Sequence, residues 1–188
     1  MTTREIAPPA VLAVALSDAK DVLRIEQDDT AFDAQLAIWI AGITVEAEHT
    51  TGRKFVNRPM RVTLDQFSDA ICLSTPTFSV ESVKFIDAAG QPQTLAPVDY
   101  YADKITEPGY VIPASGRAWP ATAPRVHVVD VDYTAGYGPD ATTTPPGARL
   151  YILARLAEQW DPVTKEFKET VRSNFIGRLL DGLRVYGG

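Results

Sequence analysis

Residues 30–53 read TAFDAQLAIWIAGITVEAEHTTGR, the clearest long helical pattern in the chain. Phe32, Leu36, Trp39, Ile40, Ile43 and Ala47 recur at spacings of three and four, which places them on one side of an α-helix. Phe32, Leu36, Trp39, Ile40 and Ile43 are therefore the expected helical core. Thr30 is positioned to cap the start, with Asp33 closing a capping box. Asp28 and Asp29 stand near the positive end of the helix dipole. Gly52 is the expected stop, since glycine enters the left-handed region without a Cβ penalty. A stripe this long has to be buried, either on the chain's own sheet or on neighbouring subunits.

Upstream, residues 1–16 read as an extended arm that becomes ordered near Val11. Ser17 is the expected cap of a short helix, SDAKDVLRI, with Ala19, Val22 and Leu23 facing inward. The link EQDDT is short enough to lay the two helices side by side. Downstream of Phe55 the period changes to two. Met60, Val62 and Leu64 alternate with Arg61, Thr63 and Asp65, as in a strand. SVESVKFID is a second strand anchored by Val80, Val83 and Phe85, and AAGQ after it predicts a hairpin turn. RVHVVDVDYT, residues 125–134, predicts a further strand, with Val126, Val128, Val131 and Tyr133 as its apolar positions. Strands joined by turns, with no helix between them, point to an antiparallel sheet. Helical periodicity returns from Pro146 through Trp160 and again from Lys165 to Gly182. The expected class is α+β: a helical core of one short, one long and two C-terminal helices, with a small antiparallel sheet inserted between the N- and C-terminal helices.

Composition narrows the function. The chain has 188 residues and a formal charge of -6, which disfavours a general nucleic-acid binder. Residues 1–60 carry six basic and nine acidic groups, residues 61–160 seven and eleven, and residues 161–188 five and four. Only the tail is mildly basic. A single cysteine, Cys72, excludes an internal disulfide and reads as a small buried hydrophobe. No apolar run approaches ~18 residues, so no membrane span is expected. The start of the chain does not read as a signal peptide, because Glu5, Pro8 and Pro9 interrupt it. A cytoplasmic origin is expected.

Catalytic patterns are missing from the sequence. Two histidines, His49 and His127, lie far apart, and Glu46 with His49 lacks the further ligands a metal needs. Asp130 and Asp132 share one face of a strand, which reads as a solvated acidic patch. No nucleophile motif or phosphate-binding loop is present, and no cofactor is implied. The aromatics Tyr100, Tyr101, Tyr110, Trp119, Tyr133 and Tyr137 sit among Pro/Gly-rich loops and suggest surfaces that a partner covers.

Taken in order, LSDAKDVLRI, EQDDTAFDAQL, EHTTGRKF, ICLSTPTFSVESVKFIDAAGQPQTL, DYYAD, VDYTAGYG, YILARLAEQW and SNFIGRLLDGLRVYG resemble the head–tail connector, or adaptor, proteins of long-tailed bacteriophages. The resemblance covers nearly the whole chain from Leu16. AGQ stands where such proteins often show a DG turn, and the loop of residues 109–124 is longer than a minimal adaptor needs.

The resemblance implies an arm over residues 1–16, a connector domain over 17–160 with its sheet at 60–134, and a C-terminal helical arm over 161–188. It implies a non-enzymatic virion part, made in the host bacterial cytoplasm and placed at the neck. There it would form a ring of about twelve subunits on the portal protein and carry a stopper or tail completion protein. Templated assembly allows the chain to stay monomeric in isolation. Phe167, Phe175, Leu179, Leu180 and Arg184 are the expected portal-docking residues. Asp65, Asp69, Asp130 and Asp132 are the expected channel-facing acids, past which DNA would slide without being gripped. The alternatives are a stopper or tail completion protein, a DNA-binding packaging accessory, which would need a basic patch, and a small enzyme.

Overall fold

The computed structural model describes residues 1–160 and 174–185. The fold is α+β, with N- and C-terminal helices flanking antiparallel β-structure inserted between them. The chain forms two compact units, each assembled from separate stretches. Met1–Ala10 and Asn57–Gly136 make a sheet unit, and Val11–Val56 and Tyr137–Gly188 make a helical unit. Among the described residues, no helix is long and apolar enough to cross a membrane.

The helical unit is built on α1 (Leu16–Leu23), α2 (Asp33–Thr51) and α3 (Pro146–Trp160), with a short α4 (Asn174–Arg178) near its end. Leu36, Ile40, Ile43 and Ala47 of α2 are buried against Ala148, Tyr151, Ile152 and Leu156 of α3. Each fully buried leucine or isoleucine contributes about 1.5–3 kcal/mol. Trp39 is half-buried at the margin of this core. Phe32 is 37% exposed and meets Trp160 edge-on, ring centroids 5.0 Å apart.

The helix starts differ from the expected ones. α1 begins at Leu16 after Ala15, so Ser17 lies inside the first turn and does not cap. α2 begins at Asp33 after Phe32, with no side-chain cap. Asp33 instead pairs with Lys20 at 2.7 Å; a lysine with only 4% exposure needs a counter-charge more than Thr30 needs a capping box. Asp29 accepts from the Ala31 backbone N–H at 2.9 Å, organising the link. The stop is where the sequence places it. Gly52 has φ 72° and its N–H donates to the Glu48 carbonyl at 2.9 Å. The buried Glu48 carboxylate then accepts from the Phe55 N–H at 2.9 Å.

The sheet unit contains two antiparallel sheets where one was expected. The larger has the order β1-β2-β8-β4-β5 and the smaller β3-β7-β6. Their strands are β1 (Thr2–Glu5), β2 (Arg58–Leu64), β3 (Ile71–Cys72), β4 (Thr77–Ile86), β5 (Pro92–Thr94), β6 (Tyr100–Asp103), β7 (Tyr110–Pro113) and β8 (Val129–Ala135). The first residues of the expected arm are an edge strand. Thr2–Glu5 pair with Thr63–Met60, and Glu5 bonds Arg58 at 3.2 Å. β8 is the centre of the larger sheet, with Val129, Val131, Tyr133 and Ala135 buried on one face. β4 slips register between Val80 and Ser82, which accounts for its broken alternation. β8 starts later than expected because His127 adopts φ 56°. That turn leaves Val126 66% exposed while Val128 is buried.

Candidate interaction surfaces

The outer face of the larger sheet is an ion-pair network. Arg61 lies opposite Asp132 and Thr63 opposite Asp130 in the β2–β8 register. Lys84 and Ser82 flank the same two acids from β4. Arg61 grips Asp132 through Nε at 2.5 Å and Nη2 at 3.0 Å. Lys84 Nζ adds a contact to Asp132 at 3.1 Å, Arg61 reaches Asp130 at 3.7 Å, and the Thr63 hydroxyl donates to Asp130 at 2.5 Å. Burial acts to raise the Asp132 pKa, but the bonds from Arg61 and Lys84 outweigh it and hold the carboxyl below its ordinary range. The Asp132 bond in turn holds the Arg61 guanidinium above its ordinary value. The expected acidic patch is thus two acids matched by two bases. Strand pairing put the cations opposite them, which alternation within one strand does not reveal.

Of the other expected acids, Asp65 continues this face two residues past Thr63 and accepts from the His127 N–H at 2.8 Å. Asp69 is exposed in the β2–β3 loop. The loop after β7 closes over one end of the sheet unit. Trp119 stacks on Phe67 at 4.6 Å and 9°, and its indole N–H donates to the Ser68 carbonyl at 2.7 Å. Beside it lies an open groove of about 490 Å³ lined in part by Phe85, Leu95, Asp99 and Arg117.

The six middle-region aromatics divide. Tyr133 is a core residue, 1% exposed, its hydroxyl accepting from the Ser74 N–H at 3.1 Å. Tyr100, Tyr110, Trp119 and Tyr137 are half-buried, and Tyr101 is 54% exposed. Among the described residues, the most exposed large apolar side chain is Ile105, at 89%. It sits on the β6–β7 turn, where Asp103 accepts from the N–H groups of Ile105 at 2.9 Å and Thr106 at 3.1 Å and from the Thr106 hydroxyl. Those Thr106 bonds, first among the causes, hold Asp103 below its ordinary pKa. The turn therefore presents Ile105 on an organised backbone.

The C-terminal segment docks on its own helical unit. Arg53 Nε donates to the Leu183 carbonyl at 2.6 Å, and the Val185 N–H to the Thr51 carbonyl at 2.9 Å. Leu180 is 1% exposed among the helical core residues. Within the chain its side chain is therefore already taken up by core packing. Leu179 is half-buried, and Arg184 is exposed and pairs with Asp181 at 3.5 Å. Phe175 lies on α4. Phe167 and the first half of the expected last helix lie outside the described residues.

Among the described residues, no three His, Cys, Asp or Glu side chains are grouped to hold a metal ion. His49 is exposed on α2, and burial raises the Cys72 thiol pKa, which disfavours the reactive thiolate.

No protein-family model matches the chain, and no curated protein does. The fold is nevertheless shared end to end with chains of gene transfer agent (GTA) particles. A chain from the neck of an empty GTA particle, computed with C6 symmetry, superposes with a TM-score of 0.76 at 21% identity, covering 100% of this chain and 99% of that one. One from the virion of the native particle gives 0.75 at 20%, with the same coverage. One from the neck of the native particle, computed with C12 symmetry, gives 0.73 at 18%, again with 100% and 99% covered.

Proposed function

We propose that the protein is a structural adaptor of a virus-like particle neck. It forms a ring of about twelve copies between the portal vertex of a capsid and the next neck component, a stopper or tail completion protein. The observation that carries this reading is the end-to-end match to a chain in a neck computed with C12 symmetry. A shared fold alone does not specify function, but the order of motifs along the chain, which resembles that of phage adaptors, agrees with it.

The C-terminal segment is the proposed portal-facing element, with Phe167, Phe175, Leu179 and Arg184 as its contacts and Leu180 as the anchor that holds it to the helical unit. DNA would pass through the ring without specific binding, since a body of net charge -6 repels a moving polyanion. Asp65 and Asp69 are the acids we assign to that wall. Asp130 and Asp132 are neutralised by Arg61 and Lys84 and contribute little field there.

The test is the mass of the protein mixed with its cognate portal ring. One copy per portal subunit is expected. Failure to bind the portal, with tight association to a tail component, would instead identify a stopper or tail completion protein.

A further inference from the structure

The helical unit has an apolar face that its own packing does not use. α2 buries Leu36, Ile40, Ile43 and Ala47, and the residues on the opposite side are Ala34, Ile38, Ala41, Gly42 and Val45. All five are exposed, with Ile38 at 71% and Val45 at 63%. Apart from His49, exposed one turn beyond Val45, this line down the helix carries no charged or polar side chain, whereas the solvent side of a surface helix is normally charged or polar. Contiguous exposed apolar surface of this kind marks a contact site.

Gly42 is a second, independent sign. Glycine inside a helix loses more conformational freedom on folding than alanine does. A Cβ built at Gly42 meets no atom within 4 Å, so nothing within the chain requires its absence. A surface brought close to the α2 backbone from outside would require it.

We propose that this α2 face is the seam between neighbouring copies of the chain, and that the α1–α3 side of the next copy occupies it. The inference rests on the neck-ring reading. Subunits in a closed ring meet head to tail, through two different surfaces, so the same unit has to offer a second apolar face. α1 and α3 offer one. Val22 is 46% exposed and Leu150 48%. Val22 follows Asp18 by one turn and Leu150 follows Arg149, and the Asp18–Arg149 ion pair at 2.7 Å joins the two helices beside them. Ala41 and Gly42 form a low floor between Ile38 and Val45, with Ala34 one turn before Ile38, into which a protruding side chain packs as ridge into groove.

The test uses the full chain with I38E/V45E, against V98E/V126E as a control at similarly exposed positions of the sheet unit. Thermal unfolding and sedimentation velocity, alone and on the cognate portal ring, are the readouts. The α2 variant is expected to unfold at the parent's temperature yet close no ring, while the control closes one. A second arm carries I38C and L150C in a C72S background, where oxidation should yield a ladder of linked subunits. Complete rings from I38E/V45E would overturn the seam and leave the neck reading intact. Rings without a ladder would overturn the α1–α3 assignment. A parent that forms no ring even on the portal would overturn both.

Discussion

Asp132 shows how much one side chain can hold together across a sheet. It joins β2 and β4 through Arg61 and Lys84, and its side chain is only 15% exposed. Partly exposed pairs are worth about 0.2–1 kcal/mol each, so D132N should cost on the order of 1 kcal/mol at neutral pH. The pH dependence follows from the sign of the shift. The folded pKa lies below the ordinary carboxylate value of about 3.9, so the contribution is present above that pH and is lost as pH falls through the folded pKa. Urea unfolding of D132N should show a flatter acid limb than the parent, and parallel limbs would contradict the network. Two glycines make a contrasting pair. Gly42 has open space around it, so G42A should stabilise the isolated chain by about 0.5–1 kcal/mol. At Gly109 a Cβ would collide with the Thr77 hydroxyl and lie 2.8 Å from the Asp103 carbonyl. G109A should therefore destabilise by about 1–3 kcal/mol, read from the same unfolding curves.

At the scale of elements, the end of the chain decides between anchoring and docking. L180A removes a side chain that is 1% exposed and should cost about 2–5 kcal/mol. R184A should change stability by less than about 0.5 kcal/mol and, on the proposed reading, weaken portal attachment. Equal and small effects on stability would contradict the placement of Leu180. These elements also show what is legible in sequence. The period of α2, its stop at Gly52 and the hairpin at AAGQ rest on local spacing and turn chemistry, and they are read directly. The partner of Asp132 lies 71 residues away at Arg61, and long-range register has no local signature. The β1 strand escapes because all four of its residues are exposed, leaving no alternation to read. The cap at Thr30 fails because the buried Lys20 claims Asp33, and the one at Ser17 because α1 starts a residue earlier, at Leu16. The outer α2 face was visible as Ile38 and Val45, but a search for one stripe overlooks a second.

In the whole molecule, a chain of net charge -6 folds into two units built from interleaved stretches, in a fold shared with chains of GTA necks. The ring reading places function in assembled surfaces rather than in a pocket. This agrees with large apolar side chains left in solvent on each unit, such as Ile105 on one and Ile38 on the other. The most direct measurement is a cryo-EM reconstruction of the neck of the intact particle that contains this chain, made without imposed symmetry. The account predicts twelve copies in one ring between the portal and the next neck component, with the C-terminal segment toward the portal. Finding the chain beyond the first ring below the portal, or outside the neck altogether, would contradict it.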